Sequence, residues 1–441
     1  MNITHYLSAV EQADTYKRYG KVQQVVGIMI ESQGPDANIG EVCYIHPNTP
    51  NKHRILAEVV GFNNEKIILM PYSELTDIGP GCLVESSRKP LSIKIGRGLI
   101  GKVINSLGES LDQSPLPKGL ANYLTEQAPP NPMSRAPISE PFQVGVKAID
   151  SMLTVGNGQR IGIFAGSGVG KSTLLGMIAR NSEADINVIA LIGERGREVR
   201  EFIEKDLGEE GLKKSIVVVA TSDQPALMRI KGAYTATSIS EYFRDLGYKV
   251  NLMMDSVTRV AMAQREVGLA TGEPPTTKGY TPSVFATLPK LLERTGTNES
   301  GAITAFYTVL VDGDDMNEPI ADTVRGILDG HFVMDRKLAE QGQFPAINIL
   351  KSISRVMNQI ATDEHTDLAL QIRSLLSTYE QNSELIQIGA YKRGTDQSID
   401  KAISYYPKIQ TFLKQGVFEQ ITLDDSIDMM KQLLNGGIKH G

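Results

Sequence analysis

The sequence predicts an α/β protein in which a parallel-sheet core lies between an N-terminal β-barrel and a helical C-terminal domain. Residues 20–95 contain short β-rich runs separated by Gly, Asn, Pro and Asp. From about residue 142 to 350, apolar strands alternate with helical stretches, which is typical of a parallel α/β sheet. Beyond residue 360 the apolar residues recur at helical spacing.

Composition and charge are typical of a globular protein of several domains and argue against a membrane-spanning or nucleic-acid-binding protein. A length of 441 residues favours two or three domains, and 41% hydrophobic with 22% charged residues is ordinary for a globular chain. The net charge of −6 argues against bulk electrostatic binding to nucleic acid or an anionic membrane. No apolar run reaches the ~18 residues of a membrane span, and the N-terminus lacks the layout of a secretory signal. Because Cys43 and Cys82 lack metal-ligand spacing, we expect reduced thiols in a cytosolic protein, with a disulfide as the alternative.

Residues 2–13 place apolar side chains at helical spacing, which predicts a short amphipathic helix. One interpretation is a helix that packs on its own domain. The other is a docking helix, because a terminal helix of this length is only marginally stable alone. We expect residues 1–18 to dock a regulatory partner through Ile3, Leu7 and Val10.

Residues 19–95 are predicted to form a small β-barrel, with a sandwich as the alternative. Strands are predicted in the runs KVQQVVGIMIES, EVCYI, RILAEVVGF and EKIILMPY. A basic, aromatic face on this domain would indicate nucleic-acid binding. Residues 1–100 carry ten Lys and Arg against ten Asp and Glu, so a structural or oligomer-forming domain is favoured.

The α/β core is assigned to residues 96–360 and the helical domain to residues 361–441. A Pro-rich stretch, APPNPMSRAPISEP, is predicted to form an ordered strap into the core, because proline disfavours helix and fixes extended backbone. Buried strands are predicted in IGIFA, NVIALIG, SIVVVAT, VNLMMD and TAFYTVLV. Two amphipathic helices follow, one through Leu368 to Tyr379 and one through Ile399 to Leu413.

The stretch AGSGVGKST at residues 165–173 has the form of a phosphate-binding loop between a strand and a helix. Its glycines let the backbone N–H groups point at phosphate oxygens, and the following helix adds the positive end of its dipole. Lys171 would reach the β- and γ-phosphates of a nucleotide, and Ser172 would offer its hydroxyl to Mg²⁺. Ala165 replaces the usual first glycine, and a chance Gly-Lys-Ser in a loop is the alternative. The predicted nucleotide contacts are Gly166, Ser167, Gly168, Val169, Gly170, Lys171, Ser172 and Thr173.

Two carboxylates are predicted to complete the chemistry of this loop. Asp255 ends the apolar run YKVNLMMDS, where a carboxylate can hold Mg²⁺ through water. Glu194 directly follows NVIALIG, with Arg195 and Arg197 beside it, and would orient and deprotonate water. The alternatives are an ordinary strand-ending Asp and a charged surface cluster.

These motifs resemble those of the ATPases of bacterial type III protein export, most closely the flagellar branch. The resemblance rests on AGSGVGKST, GERGREVREFIE, MMDSVTRVAMAQRE, TTKGYTPSVFATLPKLLERTG and DGHFVMDRKLAEQGQFPAINILKSISRV, and extends from about residue 20 to 415. That family is related to the catalytic subunits of rotary ATP synthases. The resemblance implies an N-terminal β-barrel, a RecA-like ATPase core and a helical C-terminal domain, with ATP and Mg²⁺ as ligands.

The resemblance also implies residue roles in hydrolysis. Lys171 and Ser172 match the Walker A lysine and hydroxyl, and Asp255 matches the Walker B carboxylate. Glu194 matches the glutamate that polarises the attacking water, with Arg195 near the phosphates. The implied reaction is hydrolysis of ATP to ADP and phosphate.

Arg355, in SISRV, matches the arginine that related hexamers insert into a neighbouring subunit's site. A salt bridge at a helix start is the alternative. A charge delivered across a subunit boundary stabilises the developing negative charge and is worth on the order of 10³ or more in rate. Because the loop, Glu194 and Arg355 lie in one chain, a homo-hexamer can complete every site.

The motifs do not identify the residues that contact adenine. Tyr391, in GAYKRG, is a candidate because an aromatic ring can stack on the base. Packing within the C-terminal domain is the alternative.

The resemblance implies an export motor that couples ATP hydrolysis to chaperone release and to the unfolding of export substrates. A rotary ATP synthase subunit is the second hypothesis. The catalytic subunit carries an acidic rotor-facing stretch where this chain has IGAYKRGTDQSIDKAI, and the regulatory subunit lacks the glutamate present here as Glu194. An RNA-translocating hexamer would need a basic barrel. A virulence-secretion ATPase, which shares the chemistry, stays open.

The family also implies partners. They are a stator-like regulatory protein at the N-terminus, a central stalk-like protein in the ring, export chaperones and substrates, and a membrane export gate. No nucleic-acid partner is expected. The expected location is the cytoplasm, at the inner face of the cell membrane.

Overall fold

The computed structural model describes residues 17–49, 53–112, 114–311 and 315–435. Along these residues a closed β-barrel, a sheet-based core and a helical C-terminal region follow one another, which confirms the predicted fold class. The predicted docking helix falls almost entirely on residues 1–16, which lie outside the described residues.

The barrel is built from six antiparallel strands. They are β1 (Tyr19–Val26), β2 (Met29–Gln33), β3 (Glu41–His46), β4 (Ile55–Asn63), β5 (Lys66–Pro71) and β6 (Leu83–Pro90). They pair in the order β1-β2-β5-β4-β3-β6, and β6 closes onto β1. Val22, Ile30 and Val84 point inward, as the alternation of side chains along a strand requires. The free cysteines Cys43 and Cys82 are buried in the same barrel core.

Three short strands between the barrel and the core were not predicted. β7 (Ser92–Ile95) and β9 (Ala121–Leu124) form a two-stranded antiparallel ribbon, and β8 (Val103–Asn105) joins the edge of the core sheet. One 3-10 turn, Arg97–Leu99, follows β7, and another, Pro132–Ser134, lies in the Pro-rich strap.

The core sheet is parallel along most of its width. Its further strands are β10 (Arg160–Ala165), β11 (Ile186–Ile192), β12 (Ser215–Ala220), β13 (Lys249–Asp255), β14 (Gly296–Thr297), β15 (Ala302–Leu310), β16 (Gly330–Met334) and β17 (Ile353–Ser354). The order is β17-β16-β10-β15-β13-β11-β12-β8, with β14 beside β15. All pairings from β16 to β8 are parallel. Both faces are buried: in β12, Val217 and Val219 face one apolar cluster, and Ile216 and Val218 face the other.

Helices connect the strands of this sheet, and the longer ones cover its two faces. They are α1 (Lys147–Met152), α2 (Lys171–Asn181), α3 (Gly196–Glu201), α4 (Gly208–Lys213), α5 (Ala226–Asp245), α6 (Val257–Ala270), α7 (Pro282–Leu292), α8 (Pro319–Ile327), α9 (Arg336–Glu340) and α10 (Met357–Ile360). A π-helical turn, Phe202–Leu207, joins α3 to α4, and a 3-10 turn, Thr277–Gly279, precedes α7. The apolar residues of α2 pack on one face of the sheet, and those of α5 and α6 pack on the other.

Three helices form the C-terminal region: α11 (Asp363–Gln387), α12 (Gln397–Leu413) and α13 (Leu423–Leu434). The rings of Tyr379 in α11 and Tyr406 in α12 stack with their centroids 3.6 Å apart. Within the described part of the chain, no helix combines the length and apolar character needed to cross a membrane.

An ionic cluster joins the barrel to the core and consists of the buried residues Lys231, Glu58 and Tyr72 with the exposed Glu126. The Lys231 ammonium on α5 lies 2.7 Å from a carboxylate oxygen of Glu58 on β4 and also contacts the Glu126 carboxylate. The Tyr72 hydroxyl donates to Glu58 as well. Because Lys231 is only 3% exposed, this Lys231 cluster fixes the barrel against α5 by contacts that water scarcely screens.

Candidate nucleotide-binding site

The glycine-rich loop follows β10 at the carboxyl edge of the sheet and leads directly into α2. Gly168 and Gly170 have φ values of 78° and 88°, in the left-handed region that glycine adopts without strain. Gly170 precedes α2, and no side chain there caps the helix. The first amides of α2 are therefore available to anionic oxygens, and the helix dipole favours negative charge at the same place.

Exposure divides the predicted loop residues into supporting and accessible positions. Gly166 and Val169 are buried, Thr173 is half-buried, and Ser167, Gly168 and Ser172 are exposed. The accessible residues thus lie in the turn of the loop and at the start of α2, where a bound phosphate would meet them.

The carboxylates of Asp255 and Glu194 converge on the Lys171 ammonium. Lys171 Nζ contacts Asp255 Oδ1 and lies 3.4 Å from Glu194 Oε1. β11 and β13 are parallel neighbours with Leu191 opposite Asp255, so their carboxyl ends meet at one edge of the sheet. The Thr308 hydroxyl on β15 donates to Asp255 Oδ1 at 2.7 Å and fixes that carboxylate.

Burial and neighbouring charges set the protonation of this cluster. Burial raises the pKa of Glu194 to about 7, with Lys171 opposing the shift and Asp255 adding to it. Burial disfavours the Lys171 ammonium, but the carboxylates of Asp255 and Glu194 outweigh it and raise the pKa of Lys171. Lys171 therefore stays charged, while Glu194 has a pKa near neutral pH, where a general base is most effective.

A tight turn places Glu194 and not its neighbour in the site. Gly193 has a φ of 73°, and its N–H donates to the Ala220 carbonyl oxygen. The next side chain, Arg195, is 81% exposed and pairs with Glu198 at 3.2 Å. The structure brings Glu194 to Lys171 and leaves Arg195 in solvent.

Two further predicted site residues lie apart from the loop. Arg355, directly after β17, is exposed, and its guanidinium donates to the Arg325 carbonyl oxygen at 3.3 Å. The Tyr391 hydroxyl, between α11 and α12, donates to the Asp396 carbonyl oxygen at 2.9 Å. Among the hydrogen bonds and ion pairs of the described residues, none links either side chain to the loop. Tyr391 is engaged within its own turn.

Two residues beside the loop were missed by sequence reasoning. Ring carbons of Phe344 lie 3.6 Å from the position of a Cβ built on Gly170, and the side chain is 46% exposed. Arg259, in the first turn of α6, packs on Gly193, and its Nε is buried with no hydrogen-bond partner. An arginine four residues after Asp255 was a signal available in the sequence. No spacing marks Phe344, because it reaches the loop only through the fold.

The oxygen donors near the loop suit a metal ion that binds together with the nucleotide. In the described ranges, no group of three or more His, Cys, Asp or Glu residues could hold a metal ion. Mg²⁺ usually keeps several waters and is held by one or two protein oxygens together with substrate phosphates. The Asp255 carboxylate and the exposed Ser172 at the start of α2 are oxygen donors of this kind.

Family models match three parts of the chain. The ATP synthase alpha/beta family nucleotide-binding domain matches residues 145–354, and the β-barrel domain of the same family matches residues 22–88. The T3SS EscN ATPase C-terminal domain matches residues 361–432.

Whole proteins match over nearly the entire chain. The flagellum-specific ATP synthase of Bacillus subtilis is 66% identical over 433 residues, which cover 98% of this chain and 99% of that protein. The solved structure of the assembled ATPase EscN from the enteropathogenic E. coli type III secretion system has a TM-score of 0.88 at 46% identity, over 94% of this chain and 100% of that chain. The structure of EscN in complex with its central stalk EscO has a TM-score of 0.87 at 45% identity, with the same coverage. The chain therefore belongs to the ATP synthase alpha/beta family, in the branch of the flagellar and type III secretion ATPases.

Proposed function

We propose that this chain is the ATPase of a bacterial flagellar protein export apparatus, coupling ATP hydrolysis to chaperone release, unfolding and export of flagellar proteins. The flagellar assignment is supported by 66% identity to the Bacillus subtilis protein, against 46% to EscN. The observation that carries the chemistry is the convergence of Asp255 and Glu194 on Lys171. The match of residues 361–432 to the secretion-type C-terminal domain favours a virulence-secretion ATPase as the second candidate.

Phosphate binding is assigned to the start of α2. The uncapped amides of α2 and the Lys171 ammonium would hold the β- and γ-phosphates. Phosphate oxygens would replace Asp255 as the closest partner of Lys171, which releases the Asp255 carboxylate. Mg²⁺, bound through Ser172 and Asp255, would neutralise charge on the phosphate oxygens.

Glu194 is proposed as the group that orients the attacking water and accepts its proton. Its carboxylate lies 3.4 Å from Lys171 Nζ, so it faces the place where the γ-phosphate would be held. Arg259, with its unpartnered Nε beside Gly193, is proposed as a second cation for the charge that develops on the phosphate. Arg195 is proposed to lie near the phosphates in a supporting role only. In this structure its side chain is exposed and pairs with Glu198.

Base stacking is assigned to Phe344 in place of Tyr391. The half-exposed Phe344 ring lies against Gly170 of the loop, whereas the Tyr391 hydroxyl is bonded within its own turn. An exposed aromatic face beside a phosphate-binding loop is suited to an adenine ring. Phe418, 76% exposed, is a second ring near α2, since the Arg180 guanidinium lies 5.0 Å from its centroid.

Assembly is proposed as a homo-hexamer in which Arg355 serves a neighbouring site. Arg355 is exposed and makes no bond to its own loop, which suits a residue that acts across a boundary. The related EscN is described as assembled and in complex with a central stalk. We extend these features to this chain, together with a stator-like partner at residues 1–18, export chaperones and substrates, and a membrane export gate. The proposed location of the chain is the cytoplasm, at the inner face of the cell membrane.

Complementation tests the proposal. A Bacillus subtilis strain lacking its flagellum-specific ATP synthase should regain swimming motility and secretion of flagellar proteins when it expresses this chain. The Lys171→Ala variant should restore neither at equal protein level, whereas Lys213→Ala, at an exposed lysine of α4, should behave as the parent. Failure of the folded parent to restore export would contradict the flagellar assignment. Full recovery with Lys171→Ala would contradict the role of hydrolysis.

A further inference from the structure

The segment between α12 and α13, residues 414–419, contacts the carboxyl end of the phosphate-loop helix α2 and reaches the loop at its amino end through Phe344. The Gln415 N–H donates at 3.0 Å to the carbonyl oxygen of Phe344, whose ring lies against the loop. At the carboxyl end, the Arg180 guanidinium donates to the Val417 carbonyl oxygen at 2.6 Å. We call residues 414–419 the bridge, because they join α2 to the C-terminal helices.

Gln415 is the buried centre of the bridge, with 6% of its surface exposed. Its Oε1 accepts from the Lys147 N–H at 2.7 Å, and its Nε2 donates to the carbonyl oxygens of Gly145 and Glu419 at 3.0 Å each. Both ends of the amide are satisfied, and the partners require one acceptor and two donors. Of the side chains of this size, an amide fits that pattern, whereas a carboxylate would face two carbonyl oxygens.

The exposed ring of Phe344 depends on this arrangement. Phe344 is tied to the bridge through its carbonyl oxygen, and its ring, 46% exposed, lies against Gly170 of the loop. Phe418, three residues after Gln415, is 76% exposed, and its ring lies near Arg180 at the carboxyl end of α2.

We propose that Gln415 is a positioning residue for nucleotide binding: by fixing the bridge, it places Phe344 beside the loop and so sets the affinity for the base. The inference rests on the proposed assignment of Phe344 to the base. The triphosphate is held by the amides of α2 and by Lys171, which the bridge does not contact at their phosphate-binding atoms. Replacing Gln415 should therefore raise the KM for ATP and leave kcat unchanged.

The test uses the full-length chain and the variant Gln415→Glu. This change keeps the size of the side chain and the acceptor for Lys147, but it removes both donors. Loss of about 1 kcal/mol of hydrogen bonding corresponds to about a fivefold rise in KM for MgATP, while kcat should stay within about twofold of the parent. Gln415→Met, of similar length and without polar groups, should give the same split. Lys414→Ala, at the exposed neighbour on the bridge, should change neither constant.

A ligand without a base distinguishes positioning from general structural support. Magnesium tripolyphosphate should inhibit the parent and Gln415→Glu with equal inhibition constants, because it meets α2 and Lys171 alone. If its inhibition weakens as much as ATP binding does, or if kcat falls in step with KM, Gln415 supports the fold in general and the proposal is wrong. An unchanged KM for ATP in both Gln415 variants overturns it as well.

A double-mutant cycle with Phe344→Ala separates the two proposals. In the Phe344→Ala background, Gln415→Glu should raise KM by less than about twofold, because coupled residues are non-additive. If Phe344→Ala alone leaves KM unchanged, the base assignment fails. If Phe344→Ala raises KM and Gln415→Glu does not, the base assignment stands and the positioning role of Gln415 is refuted.

Discussion

At the scale of single residues, Lys171 holds together two carboxylates that would otherwise repel each other. The Asp255 and Glu194 side chains are 4% and 15% exposed, so their charges are poorly screened and the ammonium between them is needed for both. A nucleotide brings further negative charge to the same ammonium. The site is therefore arranged so that phosphate binding and the release of the carboxylates are a single event.

Replacement of Glu194 by Gln isolates the proton-transfer step. The amide can still hold a water molecule but cannot accept its proton, so MgATP binding should be kept and turnover should fall by about 10²–10⁴. Calorimetric nucleotide binding and phosphate release measure the two properties. Glu209→Gln, at an exposed carboxylate of α4, should be active. Near-normal turnover of Glu194→Gln with unchanged affinity would refute the assignment.

Asp150 predicts a pH dependence of stability. It is fully buried on α1 and accepts from the N–H groups of Val144 and Gly145. Burial raises its pKa to about 7, although those amides oppose the shift. Between the ordinary Asp pKa of about 4 and about 7, the native state therefore binds a proton that the unfolded chain releases. This stabilisation is complete below the unfolded pKa and is lost as pH rises to about 7.

The variant Asp150→Asn cannot ionise and should lack this dependence. The free energy of unfolding of the parent minus that of Asp150→Asn should decrease from pH 5 to 7 and level off above pH 8, with a slope of at most about 1.4 kcal/mol per pH unit. Thermal unfolding at a series of pH values measures the difference. Asp322→Asn, at an exposed aspartate, should give a constant difference. A constant difference for Asp150→Asn would show that its carboxyl titrates alike in both states.

At the scale of elements, the strands that are buried on both faces are the ones that the sequence predicts best. The central strands β10, β11, β12, β13 and β15 are continuous apolar runs because both faces of the sheet are covered, and all five were predicted. β8 and β17 have three and two residues, too few for a pattern. α13 was missed because Asp and Lys interrupt its apolar positions, although Thr422 and Asp425 form a capping box at its start.

The candidate site divides in the same way between local and distant residues. The loop and Lys171 follow from one contiguous motif, and Asp255 and Glu194 follow from strand ends that a parallel sheet brings together. Phe344 lies far along the chain from the loop that it touches. No local pattern could have placed it beside the loop, and the assignment of Tyr391 to the base stays a prediction.

The Lys231 cluster predicts how strongly the barrel is attached to the core. Lys231→Met leaves the buried Glu58 carboxylate without its cation, and removing one partner of a buried pair typically costs about 3–5 kcal/mol. Chemical unfolding should show this loss. Adding Glu58→Gln should recover part of it, because no unpaired charge then remains buried. Lys213→Met, at an exposed lysine, is the control. If Lys231→Met is as stable as the control, water reaches the cluster and it contributes little to the attachment.

At the scale of the whole molecule, the placement of Arg355 predicts complementation between subunits. Chains with Glu194→Gln and chains with Arg355→Ala should each be nearly inactive. In mixed rings some interfaces combine an intact Glu194 with an intact Arg355 from the neighbour, so part of the ATPase activity should return. Phosphate release, measured on mixtures whose mixed assembly is verified by crosslinking, tests this.

If each site needs a neighbouring subunit, ATPase activity should depend on protein concentration. Activity per chain of the parent should rise with protein concentration as open, wet sites become completed by a neighbour. Arg355→Ala should bind ATP nearly as the parent does and show low activity at every concentration. No recovery in verified mixed rings, or a flat activity per chain from monomer to ring, would exclude a role of Arg355 in trans.

The closure of the barrel has a consequence for what can adhere to this end of the molecule. Each of its six strands is hydrogen-bonded on both sides, so the barrel has no free strand edge. An unfolded polypeptide, with its backbone amides and carbonyls unpaired, could extend an open sheet and aggregate on it. Here it meets side chains alone. A partially unfolded polypeptide therefore finds no strand edge to extend on this domain, and a lasting attachment to the barrel wall depends on side-chain recognition.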